Sequence, residues 1–110
     1  MPQIRLNLII KNDNLLITTI MNFTREGVER LSKISTDSRR TFEQDLHLSL
    51  SSIEADHEFV YSNKTFVGVK VYKVIFADGL SKTKFFDTVS AVLHSVGVIN
   101  IKHIQLTVRK

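Results

Sequence analysis

The sequence predicts an α+β fold, in which an antiparallel sheet carries two helices packed on one face, as a ferredoxin-like (split βαβ) variant with an N-terminal hairpin. Three observations predict it. Residues 4–11 alternate in strand fashion ahead of a turn, residues 24–34 and 81–97 show helical spacing, and residues 66–76 are apolar on both faces of a strand. The length of 110 residues indicates one domain, residues 1–110.

The chain begins with a predicted hairpin. Apolar residues occupy every second position of its first strand: Ile4, Leu6, Leu8 and Ile10. Residues 11–14 form the turn, because Asn and Asp tolerate a left-handed backbone, and residues 15–21 form the second strand.

The period then changes to that of a helix. Val28, Leu31 and Ile34 recur at helical spacing from about Thr24 onward. The polar cluster at residues 35–38 is expected to end this first helix.

Residues 41–53 permit two interpretations. The alternating leucines Leu46, Leu48 and Leu50 favour a strand, which is the prediction adopted. The alternative is a helix with Thr41 and Gln44 as a capping box, whose apolar stripe would be Phe42, Leu46, Leu50 and Ile53.

Residues 66–76 predict a central strand covered on both sides, preceded by a strand over residues 58–62 and a turn at residues 63–64. Its two apolar rows are the odd positions Val67, Val69, Val71 and Ile75, and the even positions Phe66, Tyr72, Val74 and Phe76. Because two helices cover one face of a sheet, the second row is expected to contact a partner.

The second helix is predicted to begin at Ser81 or Thr83 and to end at Gly97. Its apolar face is Phe85, Phe86, Val89, Val92, Leu93 and Val96. A last strand is expected over residues 99–109, with Ile104, Leu106 and Val108 on one side and His103, Gln105 and Thr107 on the other.

These patterns favour a non-enzymatic assembly module, either a homo-oligomer or a protein that binds another protein through the open sheet face. The predicted interface residues are Phe66, Lys70, Tyr72, Val74, Phe76 and His103.

The alternative function is that of a small basic nucleic-acid- or phosphate-binding protein, since the net charge is +4 and the pI is about 9.6. Its candidate residues are Arg39, Arg40, Lys64, Lys70, Lys73, Ser81, Lys82, Thr83 and Lys84. The aromatic pattern of RNA-recognition domains is incomplete, because Gly68 stands where a ring is needed and residues 15–20 contain none.

No catalytic, metal or cofactor site is predicted. A third hypothesis, a hydrolase or metal enzyme built on Asp56, His57 and Glu58, lacks a supporting motif. The absence of cysteine excludes thiolate chemistry and fits an intracellular, cytoplasmic location. The apolar start is interrupted at residues 11–14, so neither a signal peptide nor a membrane span is expected there.

Overall fold

The structure, a computed structural model, describes residues 5–108, with side chains over residues 5–106. It is α+β, with a four-stranded antiparallel sheet and three helices among the described residues. The strands are β1 (Asn7–Lys11), β2 (Asn14–Asn22), β3 (Asp56–Ser62) and β4 (Thr65–Ile75), in the spatial order β1-β2-β4-β3. The helices are α1 (Arg25–Lys33), α2 (Thr36–Ser51) and α3 (Lys82–Val108), and a 3₁₀ turn, Ala77–Gly79, precedes α3.

Both predicted hairpin turns are confirmed. Asn12 and Asp13 join β1 to β2 with φ of 52° and 64°, and Asn63 and Lys64 join β3 to β4 with φ of 51° and 68°. Two successive residues with positive φ are typical of a two-residue turn whose twist matches the flanking strands. Ile4 lies outside the described residues.

Helix α1 is confirmed, but the polar cluster after it has a second role. Thr24 is the N-cap, and its Oγ1 accepts a hydrogen bond from the Gly27 amide at 3.1 Å. Ser35, two residues after the end of α1, is the N-cap of α2, and its Oγ accepts a hydrogen bond from the Ser38 amide at 3.1 Å. The serine cluster therefore begins a new helix.

The strand predicted over residues 41–53 is wrong, since α2 covers most of this segment. Leu46 and Leu50, one helical turn apart, are buried against the core, whereas Leu48 between them is exposed. Helical burial of the stripe thus prevails over the period-two alternation of the three leucines.

The last strand, predicted over residues 99–109, is also wrong. Helix α3 continues through Gly97 to Val108, because Val92, Val96, Ile99 and His103 keep one buried stripe at spacings of three and four residues. A glycine costs a helix only about 1 kcal/mol, which this burial outweighs. Residue 109 and the side chains of Thr107 and Val108 lie outside the described part.

These two corrections change the topology. The order along the chain is hairpin, two helices, hairpin and helix, and α1 and α2 connect β2 to β3, two strands that each pair antiparallel with β4 between them. The core lies between one face of the sheet and the three helices. Its fully buried members include Ile17, Leu31, Leu46, Phe66, Val69, Val71, Val92 and Ile99.

One irregularity decides which residues reach that core. Val60 pairs with Gly68, but the next residue, Tyr61, pairs with Phe66, so Val67 is an extra residue in β4. Its carbonyl accepts a hydrogen bond from the Phe23 amide at 2.9 Å. The bulge shifts the alternation by one residue, and Phe66 turns into the core with no exposed surface.

Candidate functional site

The side of the sheet away from the helices is the largest candidate site, and the strand register defines it. Directly opposed residues of antiparallel strands point to the same face. Ile20 opposes Lys70, Thr18 opposes Tyr72 and Leu16 opposes Val74. We call this surface the open face; it consists of Asn7, Ile9, Lys11, Asn14, Leu16, Thr18, Ile20, Asn22, Asp56, Glu58, Val60, Gly68, Lys70, Tyr72 and Val74.

Much of the open face is apolar. Ile9, Ile20 and Val74 are exposed, and none of them belongs to the core or packs against it. Leu16, Val60 and Tyr72 are half-buried by their neighbours in the sheet. A contiguous apolar area on a soluble domain is typical of an interaction surface.

The charges of the open face balance. Glu58 lies directly opposite Lys70 across β3 and β4, and Asp56 lies opposite Tyr72. The Lys70 ammonium is 5.5 Å from the centroid of the Tyr72 ring, a cation–π distance. The open face carries two lysines, Lys11 and Lys70, and two carboxylates, Asp56 and Glu58, so its residues have no net charge.

Three of the six predicted interface residues, Lys70, Tyr72 and Val74, lie on the open face. Phe76 follows directly after β4 and is exposed. Phe66 does not belong to this surface, because the bulge turns it into the core against Phe23 and Phe59, at ring distances of 4.9 and 4.6 Å.

His103 is also excluded from the open face, because it lies on α3 and only 6% of its surface is exposed. Its ring stacks on Phe23 at 5.2 Å, and its Nε2 accepts a hydrogen bond from the Thr24 amide at 3.3 Å. Burial lowers the pKa of His103, with Glu26 acting in the opposite direction. This neutral imidazole joins α3 to the first residues of α1 and has a structural role.

The sequence interpretation missed Ile9, Leu16, Ile20 and Val60 as members of the open face. A signal existed in β2, where Leu16 precedes the buried Ile17 and Ile20 lies between the buried Thr19 and Met21. Both the odd and the even positions of β2 include apolar residues, as in β4. Only the register shows that the rows of β2 and β4 on the open face are adjacent.

The predicted basic residues do not form one track. Lys70 pairs with Ile20 on the open face, whereas Lys73 pairs with the buried Ile17 and therefore points to the helix side. Arg39 and Arg40 lie on α2, and Lys64 is in the β3–β4 turn. Ser81, Lys82, Thr83 and Lys84 are together at the start of α3, where Ser81 Oγ accepts from the Lys84 amide at 3.0 Å.

A polar cleft of ≈ 630 Å³ brings two of these lysines together. Lys73 and Lys84 share it with the carboxylates of Glu54 and Asp56. Its other lining residues are Ser51, Ile53, Ala55, His57 and Tyr72.

Two histidines meet beside this cleft. His47 Nδ1 on α2 and His57 Nε2 on β3 are 2.8 Å apart, a hydrogen bond in which one ring donates and the other accepts. Burial lowers the pKa of His57, as does the nearby His47, while Asp56 acts in the opposite direction. The pair links α2 to β3, an edge strand of the sheet.

The third hypothesis, with Asp56, His57 and Glu58, is not supported by their geometry. Asp56 and Glu58 lie on the open face, and His57 between them points to the helix side. Over residues 5–106, no group of three His, Asp or Glu side chains is arranged to hold a metal ion. Within the described chain, no helix is both long and apolar enough to span a bilayer.

The model of a family described as an uncharacterized conserved protein, DUF2299, matches residues 1–102. The chain belongs to this family. Among solved structures, the fold is similar to the crystal structure of an uncharacterized protein from Methanothermobacter thermautotrophicus, with a TM-score of 0.76 and 21% identity, over 87% of this chain and 67% of that one. No curated protein matches the sequence. The fold of this chain is thus shared by a protein of low sequence identity.

Proposed function

We propose that this protein is a non-enzymatic assembly module that forms a homo-oligomer through the open face. The observation that carries the proposal is the second apolar row of the two central strands. Leu16 and Ile20 on β2 lie beside Tyr72 and Val74 on β4, on the side of the sheet that the helices leave uncovered. Burying such a row against another apolar surface is favourable by about 25 cal/mol per Å².

The charge distribution favours a second copy of the chain as the partner. The chain as a whole has a net charge of +4, so two copies repel one another on average. The open face is neutral, which makes it a surface on which two copies can meet without like-charge repulsion. A polyanion such as nucleic acid would instead favour a surface with excess positive charge.

The proposal is tested by placing charges in the apolar row. Ile20→Lys with Val74→Lys changes two exposed side chains, so the fold of the monomer should be retained. Sedimentation velocity over a range of protein concentrations should show an oligomer for the natural sequence. The double variant should have a dissociation constant at least tenfold higher, since each lysine must lose its hydration to enter the interface.

Leu48→Lys is the matched control, because Leu48 is an exposed leucine on α2 outside the open face. It adds one positive charge, as each substitution of the double variant does, to an apolar surface position, and should leave the association unchanged. A natural sequence that remains monomeric at every concentration, or a control that dissociates as much as the double variant, contradicts the proposal.

A second candidate function, binding of a phosphate group, rests on the polar cleft, where Lys73 and Lys84 converge. Two ammonium groups beside the first turn of a helix are a favourable surrounding for an anion. Inorganic phosphate should then protect the protein against heat, and Lys73→Gln should abolish the protection. The carboxylates of Glu54 and Asp56 repel a long polyanion such as nucleic acid. We therefore expect, at most, weak binding of nucleic acid, seen as a gel shift that disappears in moderate salt.

A further inference from the structure

Helix α3 is apolar on the side that faces solvent as well as on the side that faces the core. Between residues 85 and 101 of the sequence, Asp87 is the single acidic or basic residue apart from His94. Phe86, Leu93 and Ile101 are 55%, 41% and 56% exposed. A helix that is apolar around its whole circumference is typical of one that is covered on both sides.

These exposed residues form one stripe. At 100° per residue, Phe86, Ser90, Leu93, Gly97 and Ile101 fall within about 80° of arc on the helix surface. We call them the α3 stripe. It lies away from the buried side of the helix, which packs on the sheet, and is therefore a different surface from the open face.

Gly97 in the middle of the stripe has no role inside the monomer. A Cβ atom built at this position would meet nothing within 4 Å, and the backbone there is helical. Glycine in a helix interior is less favourable than alanine by about 1 kcal/mol. A glycine on a helix surface allows the backbone of another helix to approach closely.

We propose that the α3 stripe is a second interface between copies of this chain, in which two α3 helices pack antiparallel about a two-fold axis. An axis at the level of residue 95 places Leu93 of one copy opposite Gly97 of the other. The same axis brings Ile101 within one residue, about 1.5 Å along the helix, of Ser90 of the other copy. Leu93 and Ile101 thus each meet a small residue, and the centres of the two pairs differ by half a residue.

Area and charge are consistent with this partner. With about half of each side chain exposed, the three large apolar residues contribute about 100 Å² each, or about 600 Å² for two copies. This apolar area alone lies below the lower limit of about 1,200 Å² for a stable specific interface, so the association through α3 is expected to be weak. On one flank, Asp87 would lie within two residues of the level of Gln105 of the other copy, so no like charges oppose each other there.

Cysteine pairing tests the geometry directly, because the natural sequence contains no cysteine. Leu93→Cys and Gly97→Cys are prepared as separate proteins and oxidised alone and mixed. The antiparallel arrangement predicts a disulfide-linked dimer in the mixture and little in either protein alone, since equal positions are about 6 Å apart along the helix axis. Absence of the mixed dimer, or efficient linking of Leu93→Cys alone, overturns the proposal.

A charge variant separates this interface from the open face. Leu93→Lys with Ile101→Lys should raise the dissociation constant of the α3 contact at least tenfold, whereas Leu48→Lys should not. The mixed disulfide should still form when both partners also carry Ile20→Lys and Val74→Lys, because the α3 contact does not depend on the open face. Loss of the disulfide in that background shows that the helices meet only through the sheets and overturns the proposal.

Discussion

The two faces of the same sheet are built from neighbouring residues of the same strands, yet they differ in what surrounds them. Val69 and Val71 on β4 are completely buried beneath the helices, whereas Lys70, Tyr72 and Val74 between and after them remain at the surface. Composition does not separate the two rows, since both are rich in apolar residues. The difference shows that the amount of covering chain, three helices on one side, decides which row becomes core.

The comparison is tested most strongly by one aromatic residue from each face. Phe66→Ala should lower the free energy of unfolding by about 3–5 kcal/mol, because it removes a fully buried ring. Tyr72→Ala should lower it by about 1 kcal/mol or less, since it loses a partly exposed ring and its contact with Lys70. Urea denaturation of the two variants at low protein concentration measures both effects. Equal losses would contradict the assignment of the two rings to different faces.

A smaller effect is expected on the covered side, where α1 meets α3. In Gly27→Ala the new Cβ atom would collide with the His103 ring, the nearest heavy atom being Nε2, and overpacking of this kind costs about 1–3 kcal/mol. Gly97→Ala is the matched control, because its Cβ atom meets nothing in the monomer, and it should stabilise the helix by about 0.5–1 kcal/mol. Both are measured by urea denaturation at concentrations that keep the protein monomeric. A stable Gly27→Ala variant would show that α1 and α3 are not held this closely.

The smallest effect is a pH dependence that arises on the helix side of the sheet. His57 and His103 have a folded-state pKa below the ordinary value of 6.5, chiefly because both are partly buried. As the pH falls below 6.5, the unfolded chain binds protons that the folded protein does not, so the free energy of unfolding decreases. Above pH 6.5 both states are neutral at these positions, and the full stability is retained.

Denaturation curves recorded above and below pH 6.5 measure this loss. In His103→Asn the loss should be smaller than in the natural sequence, because one of the two titrating groups is gone. If the free energy of unfolding of His103→Asn falls with pH as steeply as that of the natural sequence, the pH dependence arises elsewhere in the chain.

The sequence was sufficient where the signal is local. The turn residues Asn12, Asp13 and Asn63 favour positive φ by their own side chains, and Thr24 caps α1 through a bond to an amide three residues away. The apolar runs of residues 15–21 and 66–76 also predicted two strands correctly. For these elements the deciding contacts lie within a few residues of each other.

The tertiary structure decided the segments whose sequence fits two different secondary structures. Residues 41–53 match a strand by their alternating leucines and a helix by their four-residue stripe, and burial of Leu46 and Leu50 against the core selects the helix. Gly97 matches a helix end, but the buried stripe through Ile99 and His103 carries α3 past it. The candidate site depended on the same kind of information, since one bulge at Val67 moved Phe66 from the open face into the core.

The sequence by itself thus determined that this protein is an α+β domain with two hairpins and more apolar surface on β4 than one sheet face requires. Only the tertiary structure decided which apolar residues are covered, and that the remaining ones form the open face and the α3 stripe. The physical reason is that burial depends on contacts between residues far apart in the chain, which period and propensity do not encode.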